Sequence, residues 1–365
     1  MENTPASRRL IAVKVGSNVL TRTDGSLDIT RMSSLVDQIA ELRQSGIRII
    51  LISSGAVASG RSELKLPAGR SMDCVDERQL YSAVGQAKLI NRYYELFREY
   101  GIPVGQILTT KESFSTRRHY LTQRNSIAVM LDNGVLPIVN ENDTVSVTEL
   151  MFTDNDELSG MIACMMEAST LIILSNVDGI YDGPPASPGS SVIRVVEPER
   201  DLSACIRAEK SNFGRGGMMT KCHIARKVAG EGVEVIIANG KRERILCDLI
   251  HRPENLVFTR FLPRSGASSD MKQWLPHSIS FAKGQLELSH QAAQELAGET
   301  ARSLYPAAVT RVIGTFERDD IVRLITPDGQ DIGVGRISFD SRETRRMLSG
   351  QDQQPLIHYD HLYLD

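Results

Sequence analysis

The sequence predicts a three-layer αβα sandwich on a mainly parallel sheet, followed by a small β-rich barrel. Over the first two thirds, near-continuous apolar runs alternate with helical periods, the pattern of βα units whose strands are covered on both faces. A small, polar stretch at Pro263-Arg264-Ser265-Gly266-Ala267-Ser268-Ser269 then breaks that rhythm as a loop would, and short β-like runs follow it. The chain has 365 residues, more than one core usually serves, since domains run about 100–200 residues. A larger domain is therefore expected at 1–262, a linker at 263–278 and a smaller domain at 279–365.

The elements follow in order. Leu10 to Gly16 reads as a strand, Ile29 to Gln44 as a helix closed by Gly46, and Ile47 to Gly55 as a buried strand ending in small residues. A long helix is expected from Asp76 to Glu99. Further strands are expected at Val104 to Leu108, Val135 to Val139, Thr170 to Leu174 and Val233 to Ala238. Beyond the linker, strands are expected at Ala308 to Ile313, Asp320 to Ile325 and Asp331 to Ile337, with a turn at Pro327-Asp328-Gly329 and a terminal strand holding His358 and His361. In such a sheet, ligands gather at the carboxyl ends of the strands.

Composition narrows the function. Lys plus Arg number 42 against 45 Asp plus Glu, a formal charge of -3, so no global field recruits nucleic acid or anionic lipid. No apolar run has the length of a membrane span and the N-terminus lacks an apolar leader, which points to the cytoplasm. The 5 cysteines are scattered and form no C-x-x-C pair, as expected for reduced thiols. No H-E-x-x-H is present, and no metal centre is expected.

Chemistry is concentrated at strand ends. A P-loop and a G-x-G-x-x-G fingerprint are both absent. Lys14 instead interrupts the first apolar strand and precedes Gly16-Ser17-Asn18, where amides and an ammonium can meet anionic oxygens; a surface lysine is the plain alternative. Ser53-Ser54-Gly55-Ala56-Val57-Ala58-Ser59-Gly60 allows close backbone approach to a ligand, or is simply a packing turn. Asn140-Glu141-Asn142-Asp143 and Asp154-Asn155-Asp156-Glu157 suit an ammonium-bearing ligand, a cation or the orientation of lysines. A helix N-cap at Asp154 or Asn155 explains part of the second cluster. Gly214-Arg215-Gly216-Gly217-Met218-Met219-Thr220-Lys221 runs from a glycine-rich loop into a helix, a phosphate-type feature whose alternative is a surface loop.

Taken together, K-x-G-S, S-S-G-A-V-A-S-G, V-N-E-N-D, F-x-D-N-D-x-L-S and G-x-G-G-M-x-T-K occur in one order. With Gly314-Thr315-Phe316 and Asp320-Ile321-Val322 in the tail, the chain resembles the glutamate 5-kinase branch of the amino acid kinase family, whose chains end in a PUA domain. The resemblance implies transfer of the ATP γ-phosphoryl group to the side-chain carboxylate of L-glutamate, the first step of proline synthesis, with Mg²⁺ carried by ATP. It implies catalytic roles for Lys14, Lys221 and Asp156, the last holding both lysines. Ser54, Gly55, Asp143 and Asn155 would bind glutamate, Asp143 taking the α-ammonium. Lys14, Gly16, Ser175, Asn176, Gly216, Gly217, Met218, Met219, Thr220 and Lys221 would bind the nucleotide. Thr153, Arg215 and the pair Ser175-Asn176 depart from the residues common in the family. A homo-oligomer is expected, with γ-glutamyl phosphate reductase as a candidate partner.

Two other readings compete. Acetylglutamate kinase shares the lysine and glycine strand ends without this two-domain arrangement. An RNA-binding regulator would act through the tail, but residues 279–365 hold 9 Lys plus Arg and 13 Asp plus Glu, a poor balance for phosphate contacts. Neither a membrane nor a nucleic acid is therefore expected as a partner.

Overall fold

The structure is a computed structural model and describes residues 9–64, 72–114, 117–145, 152, 154–183, 189–198, 200, 218–264, 282–296, 303–349 and 354–364. Two compact units divide the chain, Met1–Lys111 with Gln123–Ala267, and Glu112–Thr122 with Ser268–Asp365. The expected linker lies outside the described residues from 265 onward.

In the first unit, β1 (Leu10–Val15) leads through the short α1 (Ser17–Leu20) to α2 (Ile29–Gln44). Asp28 caps α2 by accepting from the Arg31 amide. Its buried face, Met32, Leu35, Val36, Ile39 and Leu42, recurs every three to four residues. Gly46 ends it at φ +88°, a conformation that favours glycine. β2 (Arg48–Ser53), α3 (Ala56–Leu64), α4 (Cys74–Arg98), β3 (Val104–Thr109), α5 (Arg117–Asp132), β4 (Leu136–Glu141), α6 (Asn155–Met165) and β5 (Thr170–Ser175) follow. The unit closes with β6 (Val195–Val196), α7 (Met218–Gly230), β7 (Glu234–Asn239), α8 (Ile245–His251) and β8 (Thr259–Phe261).

Among the described residues these strands form one sheet in the order β3-β4-β2-β1-β5-β7-β8-β6. All pairings are parallel except that of β7 with β8. β1 is central, its Lys14 in register with Ile52 and Ile173. Ile11, Val13, Leu51, Ile172 and Ile236 join α2, α4 and α8 in one apolar core.

α3 and α4 cross on glycines. A Cβ at Gly60 would sit 1.9 Å from the Tyr81 carbonyl oxygen, and one at Gly85 would sit 1.8 Å from that of Ala56. Only hydrogen is tolerated at either position, so the crossing fixes the height of α4 above the end of β2. α6 and α7 meet in a related way, a Cβ at Gly160 falling 2.7 Å from Val228 Cγ2.

The second unit carries β9 (Gly284–Leu288), α9 (His290–Leu296), β10 (Val309–Gly314), β11 (Ile321–Ile325), β12 (Asp331–Arg336), α10 (Ser341–Leu348) and β13 (Leu362–Leu364). Its ladders run β10-β9-β11-β12-β13, with only β9 and β11 parallel. Among the described residues this is an open order, where the sequence suggested a barrel. Gly329 takes φ +82° in the expected turn. His358 and His361 precede the terminal strand instead of lying in it, His361 ending a 3₁₀ turn. Arg345 of α10 donates to the Gly314 carbonyl and Arg346 pairs with Glu343.

Candidate active site

The carboxyl ends of β1, β2, β4 and β5 converge with the first turns of α6 and α7. Asp154 caps α6, its Oδ1 accepting from the amides of Asp156 and Glu157 at 3.0 and 3.1 Å. That cap sets the next two side chains. Asp156 is fully buried, with Lys14 Nζ 2.5 Å from its Oδ1 and Lys221 Nζ donating to its Oδ2 at 2.7 Å. Lys14 comes from the middle strand of the sheet, whereas Lys221 belongs to the first turn of α7. Asp156 and Gly160 lie one turn apart on α6, and Lys221 lies seven residues before Val228 on α7, so the glycine contact holds the carboxylate and the second lysine together.

Burial alone would push the Asp156 carboxyl up, but the two lysine charges outweigh it and hold it at about 2. Asp154 goes the other way. Burial first, and then the charge of Asp156, push it up to about 6 against the pull of Lys14 and Lys221. Its Oδ2 is buried and makes no hydrogen bond among the described residues.

Asn155 ties the second sector together. Its Nδ2 donates to Ser54 Oγ at 3.0 Å, to Asn140 Oδ1 at 2.9 Å and to the Ser53 carbonyl at 3.2 Å, while its buried Oδ1 is unbonded among the described residues. Asn140 donates in turn to Gln86 Oε1 of α4 at 2.8 Å. Gly55, next to Ser54, has φ +101°, which favours glycine. Gly16 differs from expectation. Its amide donates to the Leu174 carbonyl at 3.1 Å, and a Cβ there would crowd that same carbonyl oxygen at 3.2 Å.

Asp143 is brought to the same edge but has a partner that the sequence did not suggest. Arg78 of α4 donates from Nε to Asp143 Oδ1 at 2.6 Å and from Nη2 to Glu141 Oε2 at 3.0 Å. Lys111, 3.5 Å from Glu157, is a second cation that went unnoticed. Of the nucleotide candidates, Ser175 ends β5 and lies 3.4 Å from the side chain of the exposed Asn176. Met218, Met219 and Thr220 form the first turn of α7. Gly216, Gly217, Arg215 and Thr153 lie outside the described residues.

Residues 9–239 match the amino acid kinase family, and residues 284–358 match the PUA domain. The chain belongs to the amino acid kinase family. Within the family, this kinase is 61% identical to a glutamate 5-kinase of Bacteroides thetaiotaomicron over 97% of the chain and 98% of that relative. It is 43% identical to a glutamate 5-kinase of Chlorobaculum tepidum over 99% and 98%. The carbamate kinase from Giardia lamblia bound to AMP-PNP shares the fold, with a TM-score of 0.51 at 15% identity over 71% of this chain and 99% of that one. No helix among the described residues is long and apolar enough to cross a membrane.

Proposed function

We propose that this kinase transfers the γ-phosphoryl group of ATP to the side-chain carboxylate of L-glutamate, giving γ-glutamyl phosphate for proline synthesis. The observation that carries the reading is one buried carboxylate holding two lysines from different elements. Two ammoniums on one Asp exceed its charge by one where two anions must meet, and the relatives 61% and 43% identical to this chain are named glutamate 5-kinase.

A carboxylate nucleophile is already ionised at neutral pH, so the site needs no general base. Positioning and charge then supply the catalysis, as is general for phosphoryl transfer. Lys14 and Lys221 face the transferring group, and Asp156 keeps both ammoniums in place. Ser54, Gly55 and Asn155 hold the amino acid, Asn155 Oδ1 being an acceptor that an ammonium can satisfy, and Asp143 adds the opposite charge. Gly16 leaves space beside Lys14. Ser175, Asn176 and residues Gly216 to Lys221 follow the nucleotide.

Mg²⁺ belongs with ATP, and the donors fit a cation, because Asp154 Oδ2 is buried without a hydrogen-bond partner among the described residues. When bound, Mg²⁺ neutralises charge on the β- and γ-phosphoryl oxygens.

The same reading assigns the chemistry to residues 1–262, treats 263–278 as a linker and 279–365 as a separate module, and places the reaction in the cytoplasm. A homo-oligomer is the proposed assembly and γ-glutamyl phosphate reductase the proposed partner, both open to sedimentation and pull-down. The deciding experiment is ADP release with glutamate, N-acetylglutamate, aspartate and UMP. Turnover restricted to glutamate supports the proposal, and preference for N-acetylglutamate overturns it.

A further inference from the structure

We infer that Arg78 is a specificity-determining residue, matching the strand-end carboxylates to a zwitterionic α-amino acid head group by receiving its α-carboxylate. The inference rests on the glutamate reading above.

Glu141 and Asp143 are both buried, and two carboxylates in one sector would repel each other and attract any cation. Arg78 reaches down from α4 and bonds both, using Nε and Nη2. Nη1 makes no hydrogen bond among the described residues, and the side chain is 21% exposed, so both N–H groups of Nη1 remain for an incoming carboxylate. A cation and an anion thus stand side by side.

The same sector is continuous with the proposed reaction centre. The Glu141 amide donates to Asn140 Oδ1, which also accepts from Asn155, the neighbour of Asp156. Arg78 therefore borders the amino-acid end of the site, and the lysines border the phosphoryl end. A diacid lacking the ammonium would forgo the attraction of Asp143, and an amine lacking the α-carboxylate would leave Nη1 of Arg78 unused.

The test is steady-state turnover of L-glutamate and its α-amide, isoglutamine, by the full-length wild type, Arg78→Gln and Arg78→Lys, with ATP varied separately. Arg78→Gln is expected to raise the glutamate KM at least tenfold with the ATP KM within threefold, and to abolish most of the preference for glutamate over isoglutamine. Arg78→Lys keeps the charge without the fork and should recover part of both. Asp143→Asn should instead reduce the preference for glutamate over glutarate. An unchanged glutamate-to-isoglutamine ratio in a folded variant overturns the inference, as do equal rises in both KM values. Failure of both Arg78 variants to fold would make the residue a scaffold strut and overturn it as well. Absence of glutamate turnover in the wild type would instead refute the underlying reaction.

Discussion

Replacing Asp156 with Asn tests the centre of the site while conserving volume. The carboxylate is fully buried, and its partners are nearly so, Lys14 at 6% and Lys221 at 13% side-chain exposure. Asn keeps one acceptor but turns an amide NH₂ toward one ammonium, and the local charge rises from one positive to two. Removing one partner of a buried pair costs about 3–5 kcal/mol. At about 2–4 °C per kcal/mol for a domain of this size, the melting temperature should fall by about 6–20 °C. Catalysis should fall further than stability explains. With both lysines displaced, kcat is expected to drop roughly 10²–10³-fold, the loss typical of a missing preorganised charge contact. Calorimetry and ADP release on the same preparations, at temperatures where the variant is folded, separate the two effects. Because the lysines hold Asp156 at about 2, and Asp154 ionises at about 6, both effects should be constant from pH 7.5 to pH 9. A variant that melts within a degree of wild type and keeps a third of its kcat would show that the lysines do not depend on this carboxylate.

Three more outcomes are expected. Asp154 binds its proton more tightly when folded, so its ionisation costs stability as pH rises from 3.8 toward about 6. Asp154→Asn, which still caps α6, should therefore melt higher than wild type above that window, by about 1–3 kcal/mol, and lose the advantage below it; a pH-independent difference would refute this. Lys221→Ala should lower kcat more than tenfold in a rapid-quench or ADP-release assay if its ammonium acts on the transferring group as proposed, and wild-type turnover would reduce it to a helix residue. Gly85→Ala gains helix propensity yet should destabilise by about 1–3 kcal/mol, since backbone atoms block the new methyl, whereas Gly230→Ala, facing open space, should melt at or above wild type.

Much of this was legible where local and global signals agree. The helix Ile29–Gln44 was readable to the residue because an Asp cap, an apolar stripe and a terminal Gly bound it. Lys14 stood out as a charge inside an apolar strand. β4 was cut short at Val139 because its apolar pattern ends there, yet the ladder continues through Leu108 with Asn140 and Thr109 with Glu141. β6 and β8, at two and three residues, are too short to show a period. Arg78 gave no signal because it sits among Asp76 and Glu77 like any solvated helix residue, and only the glycine crossing of α3 and α4 brings it to the carboxylates. Gly16 stood out for its amide, and only three-dimensional pairing reveals that this amide is already bonded to the Leu174 carbonyl.

The contact at Gly160 separates two jobs that the sequence runs together. Lys221 follows a glycine-rich string without a break, yet its position is set by Ile224 and Val228 seating α7 on the helix that carries Asp156. The ammonium is anchored from behind, through the residues that follow it in α7. Lys221 therefore answers to the packing of α7 on α6, so enlarging Gly160 should disturb the lysine pair without altering any of its charged groups.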